Sequence, residues 1–504
     1  MHTGESHRDK HSTSINTFPD NVFLEIFYIY RRNQDLYGCH FHPIWDWHNL
    51  AHVCSRWRRI ILSSPRRLDL HLLCTYETPV RKNLGCLPLF PLIIDYSSGW
   101  GADGKSLTPR DEDNIIAALE EPGRVQYVEI SVTSSLLKKM DTDTRKSFSR
   151  LTHICLSSKE DNVVALPNQF SKGSAPNLRV AHLDGIQFPA FPTLLSSALG
   201  LVDLRLLNIP LDGYISPEAM VTSLAAFTGL KTLLIGFKSP TRPTRTIIQD
   251  PIKRTALPSL TTFGFHGVKE YLEDLVAQID APQLGYFRIS YFNQLEFHVP
   301  KLSKFIHRTQ SLCLARFQRA RVDFGLNNVY VSLYCGQEEL LDGSHFSLQI
   351  SCRGLDWQVS HAAQTLAQSG AMLFNVDDLA IDTRADMPPL AGGKDFMDDS
   401  EWLALLRPFT AVTTLHVSWK LAEHVACGLE GVTEETAAEL LPALQSLCLE
   451  GAPLTSAERF SAIRQLSGLP VTITGIDEPL AGEFFERLES PSELESDPYP
   501  DPSN

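Results

Sequence analysis

Leu201-Val202-Asp203-Leu204-Arg205-Leu206 sets an apolar residue, two others, an apolar, one other and an apolar in six positions. Leu204 and Leu206 lie two apart, so on an extended chain they point to one face while Asp203 and Arg205 point to the other. So short a strand buries little alone, and the same spacing recurs along the chain. Copies stand at Leu89/Leu92/Ile94, Val125/Val128/Ile130, Leu151/Ile154/Leu156, Leu178/Ala181/Leu183, Leu230/Leu233/Ile235, Leu260/Phe263/Phe265 and Leu284/Phe287/Ile289, then at Val376/Leu379/Ile381, Val412/Leu415/Val417 and Leu444/Leu447/Leu449. Shorter versions sit at Leu312/Leu314, Leu348/Ile350 and Val471/Ile473.

From Leu89 to Leu284 consecutive copies are 23 to 36 residues apart, around and somewhat above the roughly 20 to 29 of a leucine-rich repeat. The expected fold is therefore α/β: an irregular leucine-rich-repeat solenoid of short parallel strands, with helices and loops on the convex side. Thr108-Pro109 reads as a helix start, Thr108 as cap and Pro109 in the first turn, for a helix to Leu119; another spans Lys269 to Ile279. Ser239-Pro240-Thr241-Arg242-Pro243 reads as a proline-broken loop. Leucines at short spacing also arise by chance, which leaves a non-repeat α/β fold as the alternative; the number of copies argues against it.

The N-terminal stretch has another pattern. In Phe18-Pro19-Asp20-Asn21-Val22-Phe23-Leu24-Glu25-Ile26-Phe27 and Leu50-Ala51-His52-Val53-Cys54-Ser55-Arg56-Trp57-Arg58-Arg59-Ile60-Ile61, apolar residues recur at three- and four-residue steps, which predicts two helices with apolar stripes broader than about fifty residues bury alone. These residues resemble the Leu-Pro opening and the Val-Cys-Arg-x-Trp-Arg later helix of an F-box, with Phe18 where leucine is usual. Ser63-Ser64-Pro65-Arg66-Arg67-Leu68-Asp69-Leu70 and Pro88 to Tyr96 are similar to the form found in mushroom-forming (basidiomycete) fungi. The resemblance implies a non-catalytic substrate receptor that docks on a Skp-type adaptor and, through it, a cullin of a ubiquitin ligase. It also implies the adaptor-facing residues: Phe18, Pro19, Ile26, Phe27, Leu50, Val53, Cys54 and Trp57. The expected organisation is a disordered lead-in (1–14), the F-box (15–68), a linker with a first repeat-like strand (69–110), a leucine-rich-repeat-like recognition domain (111–476) and an acidic, mostly disordered tail (477–504). An F-box-derived scaffold with no ligase role is the alternative.

A protein client is expected on the residues that alternate with the buried pairs, with Arg205, His266, Tyr286 and Arg288 on neighbouring rungs at its centre, since Tyr and Arg most often dominate binding energy. That row continues through Tyr127, Glu129, His153, His182, Asp184, Asp203, Asp382, His416 and Glu450.

Composition narrows the classes. The chain of 504 residues is 43% hydrophobic and 21% charged, with a formal charge of −14. Much of that charge lies from Asp477 onward, where nine acidic residues meet Arg487 alone. No long basic run offers a footprint for nucleic acid. Ten cysteines form no C-x-x-C and fall mostly in apolar segments, as small core residues of a reducing compartment do. With no secretion signal and no membrane span in sight, the cytoplasm or nucleus is expected.

Two motifs suggest chemistry. Gly99-Trp100-Gly101-Ala102-Asp103-Gly104-Lys105-Ser106 fits a phosphate-binding loop letter for letter, the basis of an alternative nucleotide-binding enzyme. Such a loop needs a helix starting at its Gly-Lys, whereas Pro109 falls where that helix would run, so no enzyme and no cofactor is expected. Cys39, His40 and His42 with His48 and His52 contain metal-ligating types, but the first three are too cramped for structural zinc. No metal is expected.

Overall fold

The computed structural model describes residues 15–34, 46–76, 78, 80–85, 89–96, 107–140, 146–158, 164–188, 190–240, 254–292, 297–335, 345–384, 399–430, 432–433, 436, 439–450 and 455–476. The polar lead-in, Cys39, His40 and His42, the glycine loop 99–106, Thr241 to Pro243 and the acidic tail lie outside these residues. The chain divides into two compact units, Met1–Ser158 with Pro167–Leu178, and Lys159–Leu166 with Arg179–Asn504.

The first unit opens on α1 (Asp20–Gln34), α2 (Asp46–Val53) and α3 (Ser55–Ser63). The later of the two expected helices is split at Cys54, whose backbone is extended (φ −160°, ψ 167°) and whose Sγ accepts a hydrogen bond from the Trp57 N–H at 3.4 Å, capping α3. Phe23, Phe27 and Trp57 form an aromatic cluster, with ring centroids 4.9 Å apart for Phe27–Trp57 and 5.5 Å for Phe23–Trp57. Trp47 is buried against Phe90. Then come β1 (Leu72–Cys74), α4 (Val80–Asn83), β2 (Leu92–Tyr96), α5 (Pro109–Leu119), β3 (Val125–Ser131), α6 (Ser134–Met140) and β4 (His153–Ser157). The four strands are parallel neighbours in chain order. α5 begins where the sequence predicts: Pro109 is its first residue, and Thr108 and Asp111 cap each other's backbone N–H groups. A short helix, α7 (Asn168–Ser171), also belongs to this unit.

The second unit contains two small parallel pairs, β5 (Val164–Ala165) with β7 (Ile186–Gln187) and β10 (Thr255–Ala256) with β12 (Ile279–Asp280). Its main strands are β6 (Val180–Asp184), β8 (Asp203–Ile209), β9 (Thr232–Phe237), β11 (Thr262–Gly267), β13 (Tyr286–Tyr291), β14 (Arg319–Phe324), β15 (Asn328–Tyr334), β16 (His345–Ser351), β17 (Asp378–Thr383), β18 (Thr414–Val417), β19 (Ser446–Glu450) and β20 (Thr472–Ile476). They form one large, mostly parallel sheet in the order β6-β8-β9-β11-β13-β16-β15-β14-β17-β18-β19-β20. The fold is mixed α/β and consistent with a repeat solenoid.

From Val125 to Leu449, every residue of the full apolar triplets is at most 3% exposed. The buried pairs stack across strands: the rings of Phe263 and Phe287 lie parallel at 5.2 Å. Helices cover this face, with Phe305 against Phe287, Tyr271 against Phe265 and Trp402 against Phe324. The repeat is longer than the triplet. The N–H of Leu201, Leu230, Leu260 and Leu284 donates to the carbonyl three residues earlier, on Ala198, Phe227, Leu257 and Ala281, and each of those side chains is buried.

Two expectations are corrected. Strands are not all parallel: β15 runs antiparallel between β14 and β16, and this hairpin meander interrupts the repeat between β13 and β17. Leu312 and Leu314 are not a rung but lie in a short helix, Gln310–Leu314, where Leu314 is exposed.

Candidate interaction surfaces

On α1 the apolar residues fall in two adjacent stripes. Phe23 and Phe27 turn inward, while Ile26 and Ile29, 44% and 54% exposed, turn outward. With Ile15, Phe18, Tyr28, Tyr30 and Val53 they make seven of the sixteen exposed large apolar side chains among the described residues. That concentration within so short a segment has the character of an interaction surface. Arg56 fixes its geometry: its guanidinium donates to Asp20 Oδ1 and to the Phe18 carbonyl, each at 2.7 Å, and lies over the Phe23 ring. Phe18 is thereby held beside the start of α3, close in sequence to Val53.

Of the residues expected to face an adaptor, Phe18, Pro19, Ile26 and Val53 are exposed and Leu50 is half-buried. Phe27 does not face outward; it is 1% exposed, because Trp57 and Phe23 enclose it. Trp57 is half-buried in the same cluster and the Cys54 thiol is the cap of α3. Ile29 and Ile15 are exposed as well; Ile29 stands three residues after Ile26, a helical step that the sequence carries, whereas no such step marks Ile15.

The second surface is the sheet face opposite the helices in the second unit. Strand register aligns His182, Arg205, Leu234, Gly264, Arg288, Ser347, Ser332, Arg321, Ala380 and His416 in one row. A second row runs Gly236, His266, Ser290, Gln349, Tyr330, Asp323 and Asp382. Of the four central client residues, His266, Tyr286 and Arg288 sit on adjacent strands β11 and β13. Arg205, on β8, is separated from them by β9. It is also engaged, its Nη2 lying 3.1 Å from Asp203 Oδ2, which stands 3.4 Å from His182 Nε2. Burial works against the Asp203 charge, but hydrogen bonds from His182 and Arg205 outweigh it and hold the carboxyl below the usual range.

His266 starts a polar chain along the second row. Its Nδ1 is 2.9 Å from Ser290 Oγ, Ser290 donates to Gln349 Oε1 at 3.0 Å, and Gln349 Nε2 donates to Tyr330 Oη at 2.9 Å. Since the Ser290 hydrogen is used on Gln349, the His266 Nδ1 carries the proton that it shares with Ser290. Burial pulls the His266 imidazole down to about 4, so the ring is neutral near pH 7. Farther along, Arg321 bridges Asp323 and Asp382 at 2.6 and 3.1 Å. Burial opposes its charge, and the two carboxylates more than offset this, raising its pKa. Ser290, Gln349, Tyr330 and Arg321 were not anticipated, although the strict alternation of Arg319 to Phe324 and Asn328 to Tyr334 marks two such strands.

In the first unit, Tyr127 donates to Glu129 and packs beside His153. Of the zinc candidates, His52 is exposed on α2. Among the described residues no group of three or more His, Cys, Asp or Glu is placed to hold a metal, and no helix is long and apolar enough to cross a membrane.

No protein-family model matches the chain, and no curated protein does. Among solved structures it is similar to the leucine-rich repeat-containing protein LegL7 from Legionella pneumophila, at 11% identity and a TM-score of 0.23, over 79% of this chain and 98% of that one. The repeat architecture therefore rests on the strand register rather than on that likeness.

Proposed function

We propose that the chain is a non-catalytic substrate-recognition subunit of a Skp-cullin-F-box type ubiquitin ligase, with its N-terminal helices on the adaptor and a protein client on the open sheet face. The observation that carries the reading is the set of outward apolar residues Phe18, just before α1, Ile26 and Ile29 on α1, and Val53 at the end of α2, beside a core already filled by Phe23, Phe27 and Trp57. A set of this kind fits a partner's groove in the helix-in-groove mode. A client held beside a ligase reacts at high effective concentration, so the receptor supplies proximity and no chemistry.

A nucleotide-dependent enzyme built on Gly99 to Ser106 has less support. Leu107 and Thr108 are non-helical and the helix begins at Pro109, whereas a phosphate loop aims the N-terminal N–H groups of a helix starting at its Gly-Lys.

The test is co-purification of the full chain with a Skp-type adaptor. Ile26→Asp with Val53→Asp should abolish capture, since a carboxylate buried without a partner costs several kcal/mol; both positions are exposed, so folding should be retained. A wild-type chain that captures no adaptor leaves the scaffold reading. A double variant that captures as well as wild type refutes the surface.

A further inference from the structure

Among the described residues, five arginines lie on or at the end of the open face of the second unit's sheet: three are paired with carboxylates within it, and Arg384, just after β17, lies over the Tyr330 ring and within electrostatic reach of Asp323. Arg205 pairs with Asp203 at 3.1 Å, Arg319 with Asp378 at 3.6 Å, and Arg321 with Asp323 and Asp382. Arg288 is half-buried, and no carboxylate of the described residues lies within ion-pair reach of it. A partly desolvated guanidinium with five donors normally finds acceptors. Here none of the described residues accepts from it, and its Cζ stands 5.6 Å from the Tyr286 ring centroid, a cation–π distance.

The surroundings are those of a small site. Across β16 and β15 the register neighbours of Arg288 are Ser347, which is buried, and Ser332, both short side chains without charge. Across β11 the neighbour is Gly264, where a Cβ would lie 2.5 Å from Leu234 Cδ2; Leu234 thus fills the space over the glycine and walls the site on that side.

We propose that Arg288, shelved on Tyr286 and walled by Leu234, is a subsite for a single carboxylate, a glutamate or aspartate of an extended client segment; this rests on the receptor reading above. Charge decides for a monoanion over a phosphate. Phosphate readers cluster arginines, whereas Arg288 has no second arginine or lysine beside it in the register, and the nearest arginines along the row, Arg205 and Arg321, are each three strands away and each paired, Arg205 with Asp203 and Arg321 with Asp323 and Asp382. One guanidinium fork matches one carboxylate in charge and bidentate geometry.

The test uses the full chain and three immobilised pools of random decapeptides, with the central residue fixed as Glu, Gln or phosphoserine. Wild type should retain the Glu pool roughly 10- to 100-fold better than the Gln pool. Arg288→Gln should erase that difference while Arg205→Gln, whose native arginine is already paired, should keep it. Equal retention of Glu and Gln pools, preference for phosphoserine, an unaltered Arg288→Gln, or no retention of any pool overturns the subsite. Adaptor capture measured on the same preparations separates the two ideas: capture without Glu preference refutes the subsite alone, and Glu preference without capture refutes the ligase reading alone.

Discussion

Replacing Arg464 by methionine removes a buried guanidinium that joins three segments of the second unit. Arg464 projects from the helix Thr455–Leu466, is 1% exposed, and donates to the carbonyls of Leu440, Leu441 and Leu444 at 3.1 Å and of Leu469 at 3.2 Å. Three of these acceptors lie in the turn that feeds β19 and the fourth in the turn that feeds β20. Leu441 has φ +46°, a left-handed conformation that costs a branched residue roughly 1–2 kcal/mol, and its carbonyl is one of those held. Methionine matches much of the aliphatic volume and leaves four carbonyls without their charged donor. A hydrogen bond to a charged group contributes about 1.5–3 kcal/mol, and stranded buried acceptors cost about 1–3 kcal/mol each. Water reaching the turn and relief from burying the guanidinium offset part of this, so the net loss should be about 3–5 kcal/mol. It should fall locally, so amide hydrogen exchange is the assay. Protection at the described residues across 440–476 should drop by about two to three and a half orders of magnitude, at about 1.4 kcal/mol per decade, while β8 to β13 keep theirs. Arg464→Lys, a point charge unable to span four carbonyls, should fall between. Unchanged protection at β19 and β20 in the methionine variant would refute the assignment of Arg464 as the tie between these turns.

The remaining predictions concern the open face and its packing. His266 has an ordinary pKa near 6.5 when unfolded and is pulled down to about 4 by burial when folded; its stability contribution is complete above about pH 6.5 and lost as pH falls toward 4, by up to about 3 kcal/mol. Denaturant midpoints measured across that window should flatten in His266→Gln, and an unchanged slope would count against a buried neutral ring. Gly267 faces the helices, and a Cβ there would lie 2.8 Å from Phe265 Cζ and 2.9 Å from Phe237 Cδ2, two rings with little freedom. Gly267→Ala should therefore cost about 1–3 kcal/mol, more than Gly264→Ala, which meets only the movable methyl end of Leu234; thermal unfolding that ranks the two the other way would refute this.

The rungs were legible because their signal is local. A two-residue alternation decides which side chains share a face, and the full triplets from Val125 onward are buried without exception. The preceding position is not legible in the same way, because its occupants, Ala198, Phe227, Leu257 and Ala281, vary in volume and are joined to the triplet by a turn rather than a period. The β14–β15 hairpin was visible as alternation around Gly325-Leu326-Asn327, yet a search for triplets does not find a strand whose neighbours run the other way. On α1 the sequence cannot tell Ile26 from Phe27, since both lie on a broad apolar arc and the choice is made by Trp57, thirty residues away in the chain. The arginines of the sheet face differ in a way that the sequence does contain. On a strand, residues i and i+2 stand side by side on one face, so Asp203-x-Arg205 and Arg321-x-Asp323 carry their own counter-charges. In Tyr286-x-Arg288 that neighbour is an aromatic ring, which orients the guanidinium without neutralising it. The same two-residue step that defines the buried face thus also separates Arg205 and Arg321, which carry their counter-charges with them, from Arg288, whereas Arg319 takes its carboxylate from Asp378 across the strands.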